Sequence, residues 1–121
     1  HADKFIDHVN GRGNSAQVGA IPAPVVEKGQ TPLQLFELVV RHEQKVSQSI
    51  RELYRAAEAE SDFDSRPILN WFVEEQIQEE ATAGEIVSRL RRIGDDASSL
   101  LNLDEQLGQR QPPAAEAVAV A

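Results

Sequence analysis

Residues 71–80 read W-F-V-E-E-Q-I-Q-E-E, and three of them interrupt a helix that is otherwise apolar along one face. The stripe runs Ile68/Leu69, Phe72, then 75/76 and 79, then Ala83, Ile86, Leu90 and Ile93, at the three-four spacing of one helix side. Because it is apolar before and after the gap, Glu75, Gln76 and Glu79 are expected to face the interior. A second helix repeats the interruption, with Phe36, Val39/Val40, then Glu43, then Val46, Ile50, Leu53 and Ala57. An unpaired carboxylate inside an apolar core is costly or takes up a proton. Two helices that break their own stripes with acids are therefore expected to share a cation.

The chain has 121 residues, enough for one domain with a modest core, and its 40% hydrophobic and 26% charged content suits a globular protein. A net charge of −8 argues against nucleic acid and anionic membrane surfaces as partners and favours cations. The absence of cysteine removes disulfides, thiolate metal sites and redox thiols. No apolar run is long enough to span a membrane and no signal-peptide pattern opens the chain, so the expected location is cytoplasmic. Methionine is absent, and the chain opens on His1. Residues 1–10 have no N-cap before them and read as the tail of a helix already under way, with His1, Phe5 and His8/Val9 on one face. A segment is therefore expected upstream of His1.

That helix end should close at Gly11 and Gly13. Residues 11–30 mix glycine and proline with Ile21, Val25 and Val26, which are available to pack, and read as a long ordered crossover between bundle ends. Thr31 as N-cap, Pro32 in first helical position and Gln34 completing a capping box start the next helix, expected to about Glu60. After S-D-F-D-S, Asp64 or Ser65 should cap a second long helix ending near Gly94. A short helix over about 96–109 places Leu100, Leu103 and Leu107 on one side. The tail 111–121 is expected to be mobile.

Glutamate and histidine on facing helices of a four-helix bundle are the usual route to a carboxylate-bridged di-iron site, and both ligand types suit Fe(II). Glu43 falls near mid-helix, where it could bridge two metals, and Glu75 and Glu79 lie one turn apart on one face. Gln76, beside them, could orient a ligand or bound oxygen. The competing reading of such a run is a solvated acidic face. His1 is a further ligand candidate, His8 and His42 are weaker ones, and Trp71 reads as a bundle-wall aromatic. No dinucleotide fingerprint, P-loop, nucleophile elbow or H-E-x-x-H is present.

The blocks H-A-D-K-F-I-D-H-V-N-G-R-G-N (1–14), P-L-Q-L-F-E-L-V-V-R-H-E-Q-K-V (32–46), N-W-F-V-E-E-Q-I-Q-E-E (70–80) and L-N-L-D-E-Q-L (101–107) resemble, in order and spacing, the bacterial non-haem ferritins of the ferritin-like di-iron family. The resemblance covers nearly all of residues 1–110. It implies an all-α, ferritin-like four-helix bundle of which this chain supplies the end of the second helix, the crossover, the third and fourth helices and a short fifth helix. It implies iron storage and detoxification, with Fe(II) oxidised by dioxygen or peroxide at a di-iron ferroxidase centre and Fe(III) mineral deposited in a 24-subunit cage of identical subunits. His1 matches the imidazole ligand of the first iron, and Glu43 and Glu79 match ligands of the second. Glu75 matches a ligand of a third iron site, and Gln76 matches a glutamine beside the centre.

Several features depart from the family pattern. The first helix and the glutamate of an E-x-x-H motif ending at His1 are not in this chain, and an upstream segment or second chain is expected to carry them. Haem is not expected, since the related bacterioferritins hold it through methionine. Arg66 and Leu69 stand where animal ferritins place pore acids. Two alternatives follow, a non-catalytic structural cage subunit and a two-helix half-ferritin that rebuilds a bundle by dimerisation. Gln78 stands where many relatives carry a third-site glutamate, and a neutral amide offers an oxygen but no charge. The third iron is thus expected to bind weakly, and Gln78→Glu should raise its occupancy, as measured by anomalous scattering from iron-soaked crystals.

Overall fold

The capping box written into T-P-L-Q forms as the spacing predicts. Thr31 Oγ1 accepts from the Gln34 N–H at 3.2 Å, and Gln34 Oε1 accepts from the Thr31 N–H at 3.0 Å. The structure, a computed structural model, describes residues 1–110, so the expected tail at 111–121 lies outside the described residues. Among the described residues every regular element is helical: α1 Ala2–Gly11, α2 Pro32–Ala59, a 3-10 turn Phe63–Ser65, α3 Arg66–Ile93 and α4 Ala97–Gly108. The left-handed glycines Gly13 (φ 82°) and Gly94 (φ 60°) follow α1 and α3, as the sequence anticipates. Asp96 caps α4 by accepting from the Ser99 N–H at 2.9 Å.

The helices fall into two compact units, residues 1–87 and the residues from Ser88 onward, with α3 running from the first into the second. In the first unit Ile50, Leu69, Phe72, Ala83, Ile86 and Val87 are buried. In the second, Leu90 and Leu103 are buried. The two long helices of the first unit are antiparallel. Glu43 on α2 meets Gln76 on α3, while further along α2 the Tyr54 hydroxyl donates to Asn70 Oδ1 at 2.9 Å.

Two packing expectations are corrected. The crossover residues Ile21, Val25 and Val26 do not pack: Val25 is 95% exposed and the other two are nearly as open. Residues 14–27 form no regular element, so their apolar side chains are not held on a common face. On α2 the buried line passes through Ser47 and Ile50, while Val39 and Leu53, assigned to the stripe, are exposed. Leu53 instead lines an open cleft of about 340 Å³ with Phe5 and Val9 of α1. The buried line is turned because Ser47, rather than Val46, faces the Gln76 amide.

The α2–α3 corner also differs from expectation. Neither Asp64 nor Ser65 caps α3 from coil, because the 3-10 turn feeds directly into it. Two backbone bonds close α2, from the Asp62 N–H to Ala57 O at 2.8 Å and from the Ser61 N–H to Glu58 O at 3.1 Å. This is the Schellman pattern, with Ser61 at φ 55° where glycine is usual. Asp62 then organises the corner. The Ser65 hydroxyl donates to Asp62 Oδ2 at 2.5 Å, and Arg12 donates to the other carboxylate oxygen. With its proton committed to Asp62, Ser65 Oγ accepts from Arg12 Nη1 and from His8 Nε2, both at 2.9 Å. His8, a weak ligand candidate from sequence, thereby ties the end of α1 to the corner.

The Ser65 hydroxyl and the Arg12 guanidinium hold the Asp62 carboxyl below its ordinary pKa. A carboxylate whose folded pKa is depressed contributes stability above its unfolded value, and that contribution is lost as pH falls through the folded one. Asp62→Asn should therefore lower the melting temperature modestly at neutral pH. It should also reduce the further loss of stability seen on acidification below about pH 4, measured by thermal melts from pH 7 to 2.

Candidate metal centre

The centre is organised around a buried amide. Gln76 is 5% exposed, and its Nε2 donates to Glu43 Oε2 at 3.0 Å and to the Glu43 carbonyl at 3.1 Å, with Ser47 Oγ at 3.2 Å. A primary amide has two protons for these three acceptors, so at least one is shared. Glu43 and Ser47 lie one turn apart on α2, which brings both opposite one residue of α3. Sequence reading missed Ser47. Its signal was a small polar residue four positions after Glu43, between Val46 and Ile50.

His1 and Glu75 form the second part. His1 Nε2 lies 3.5 Å from Glu75 Oε1, with the Glu75 side chain only 13% exposed and that of His1 36%. Aromatic rings wall the imidazole. Trp71 and Phe72 meet it edge to face, with centroids at 5.5 and 5.8 Å, and Phe5 stacks on Phe72 at 4.2 Å. The Lys4 ammonium sits 4.3 Å from the Trp71 centroid, an attractive cation–π placement. Trp71 is thus a wall residue in contact with a candidate ligand.

The structure brings together His1 with Glu75, and Gln76 with Glu43 and Ser47. Glu79 is partly buried one turn beyond Glu75. Among the described residues no three histidine, aspartate or glutamate side chains converge to hold an ion by themselves. His42 is exposed, and Gln78 is exposed beside Glu79.

The donor set nevertheless fits Fe(II), which carboxylate and imidazole ligands serve well. The Gln76 amide, bonded to one carboxylate oxygen of Glu43, leaves the other for a metal and fixes its direction.

A protein whose described elements are helical, with carboxylates and an orienting amide turned inward from two long helices and an imidazole beside them at the start of α1, belongs to the class of helical-bundle proteins with carboxylate-lined interiors. Comparison with known proteins narrows the class. The ferritin-like domain family matches residues 1–93. A bacterial non-heme ferritin of Bacteroides fragilis is 41% identical over 110 residues, 91% of this chain and 67% of that protein. One from Staphylococcus haemolyticus is 34% identical, matching 91% of this chain and 66% of its own length. Among solved structures, an open pore ferritin from the hyperthermophilic archaeon Archaeoglobus fulgidus superposes with a TM-score of 0.87 at 43% identity. That match covers 92% of this chain and 68% of the archaeal one. A Chlorobium tepidum ferritin superposes with a TM-score of 0.73 at 28% identity, covering 93% and 68% of the two chains. The chain belongs to the ferritin family, and it spans about two thirds of the length of the curated relatives it matches.

Gln76→Leu fills the same space but leaves the Glu43 carboxylate and Ser47 hydroxyl facing an apolar side chain. Removing one partner of a buried hydrogen bond costs about 1–3 kcal/mol. A chemical-denaturation midpoint lowered to match, with an unchanged slope, is the expected outcome.

Proposed function

We propose that the protein is a ferritin subunit that oxidises Fe(II) at a paired iron site and stores the product as Fe(III) mineral inside a cage of identical subunits, a 24-mer as the resemblance implies. The observation that carries this reading is the Gln76 amide bonded to Glu43 across α2 and α3, close along α3 to the His1–Glu75 pair. A solvated acidic face has no reason to bury an amide on its carboxylate.

In this reading Fe(II) is the substrate. Glu43 and Glu79 offer carboxylates from α2 and α3, His1 offers imidazole from the start of α1, and Gln76 holds Glu43 in a single orientation. Glu75, beside His1, takes iron arriving at or leaving the pair. Dioxygen or peroxide accepts the electrons. The remaining ligands come from a further helix and from the glutamate of the E-x-x-H motif that ends at His1, both carried by an upstream segment or second chain. The cytoplasm is the compartment that supplies Fe(II) to such a protein. Since no three ligands converge among the described residues, the second reading is a non-catalytic subunit that shapes a cage without turning over iron.

Glu43→Ala and Glu79→Ala should each abolish rapid Fe(II) oxidation, read as oxygen consumption on anaerobic-to-aerobic mixing. Neither should lower iron-free thermal stability by much, because clustered carboxylates repel one another without metal. In Glu43→Ala the Gln76 amide keeps the residue-43 carbonyl and Ser47 as acceptors. Trp71 is the sole tryptophan and touches the His1 ring, so its fluorescence should report Fe(II) binding. Unaltered oxygen consumption in both variants would give the non-catalytic reading its support.

A further inference from the structure

The second compact unit holds a cleft that the iron chemistry does not use. It measures about 270 Å³ and lies between the last turns of α3 and the body of α4. Arg89 and Arg92 line it from α3; Ser99, Asn102 and Gln106 line it from α4, with Leu103 buried beside them. Among the described residues, none that line it is acidic. We infer that this cleft is a binding site for a small multivalent oxyanion of the phosphate class.

The two arginines are three residues apart, so they share one helix side, and both reach the same opening. Basic residues in a last helical turn ordinarily offset the negative end of the helix dipole, which accounts for Arg91 and Arg92 without any ligand. Arg89 stands outside that explanation. It lies a turn earlier, is partly buried, and donates through Nη2 to Gln106 on α4. Gln106 in turn donates to Asn102 Oδ1 at 2.8 Å. The guanidinium is thus anchored at one edge, with its other N–H groups available to an incoming ligand. Arg92 makes no hydrogen bond or ion pair among the described residues, which leaves its planar fork open to bidentate contact.

The surroundings permit an anion despite the chain's net charge of −8. Residues 88–110 hold four arginines and four carboxylates, so the excess of acid lies elsewhere in the chain. Carboxylates farther away than about 8 Å are largely screened at physiological ionic strength. The cleft is somewhat smaller than pockets that enclose drug-sized ligands, roughly 300–1,000 Å³, and suits an ion of a few heavy atoms. Two forks and the amide protons favour three or more oxygens on a compact doubly charged centre over a single carboxylate.

The test is isothermal titration of the full chain with inorganic phosphate, at constant ionic strength in chloride. Iron is first removed by a chelator, so that heat reports the cleft and not the metal. One saturable site per chain is expected. Arg92→Gln should weaken it about tenfold or more, as should Arg89→Gln, in keeping with hydrogen bonds to charged partners. Arg110→Gln, outside the cleft, should leave it unchanged. Arg92 is exposed and has no partner to lose among the described residues, so its variant reports binding even if Arg89→Gln loosens the α3–α4 contact. Parallel titrations with pyrophosphate and citrate separate the sources: tighter pyrophosphate indicates a phosphate ester or polyphosphate, and inorganic phosphate at least as tight indicates the free ion. Tighter citrate than either would overturn the phosphate assignment. Phosphate that fails to saturate by about 10 mM, or that binds equally to wild type and Arg92→Gln, would overturn the site itself.

Discussion

A glutamine amide cannot be left dry inside a helical protein, and the need to satisfy Gln76 constrains much of the first unit. A buried amide without partners costs about 1–3 kcal/mol, a large fraction of the net stability of a small domain. Here the cost is avoided only if α2 presents acceptors at one level of α3, and Glu43 and Ser47 do so. That requirement sets the antiparallel register of the two long helices. With Gln76 opposite residues 43–47, Tyr54 comes level with Asn70, and the chain reverses through the 3-10 turn without slack. The buried line of α2 is turned towards Ser47 for the same reason, which leaves Leu53 on the open cleft beside α1.

The corner shows the same logic with charges. Asp62 accepts from Ser65 and Arg12, and Ser65 accepts from His8, so a single carboxylate gathers α1, the end of α2 and the start of α3. Arg12 lies 50 positions from Asp62 in sequence, and His8 lies 57 from Ser65. Placing a left-handed Ser61 immediately before Asp62 costs backbone energy that glycine would avoid. In return the Asp62 N–H closes α2 on Ala57 and its carboxylate anchors the turn.

Charge is unevenly placed along the molecule. The acid excess lies outside residues 88–110, and the partly buried Glu43, Glu75 and Glu79 are part of it. A field of that sign raises the local concentration of a divalent cation before any ligand bond forms. The aromatic wall of Phe5, Trp71 and Phe72 works alongside it by limiting where the His1 imidazole can swing. Residues 88–110, balanced in charge and carrying two arginines on one opening, have a different electrostatic character.

Much of this was legible in the sequence, because it depends on local rules. Helix starts and stops follow from Thr31, Pro32, Gln34, Gly13 and Gly94, whose effects reach only a few residues. The inward direction of residues 75, 76 and 79 follows from helical period alone, and the order of the blocks carried the resemblance to ferritins that the comparisons bear out. Side-chain pairing across helices was not legible. Periodicity identifies a face to within about one residue, so it could not decide between Val46 and Ser47, nor expose Leu53. It gave no means of pairing Arg12 and His8 with a serine more than 50 positions away. Those choices were made by the tertiary structure, because a buried donor or acceptor must find its partner wherever the fold brings one within about 3 Å.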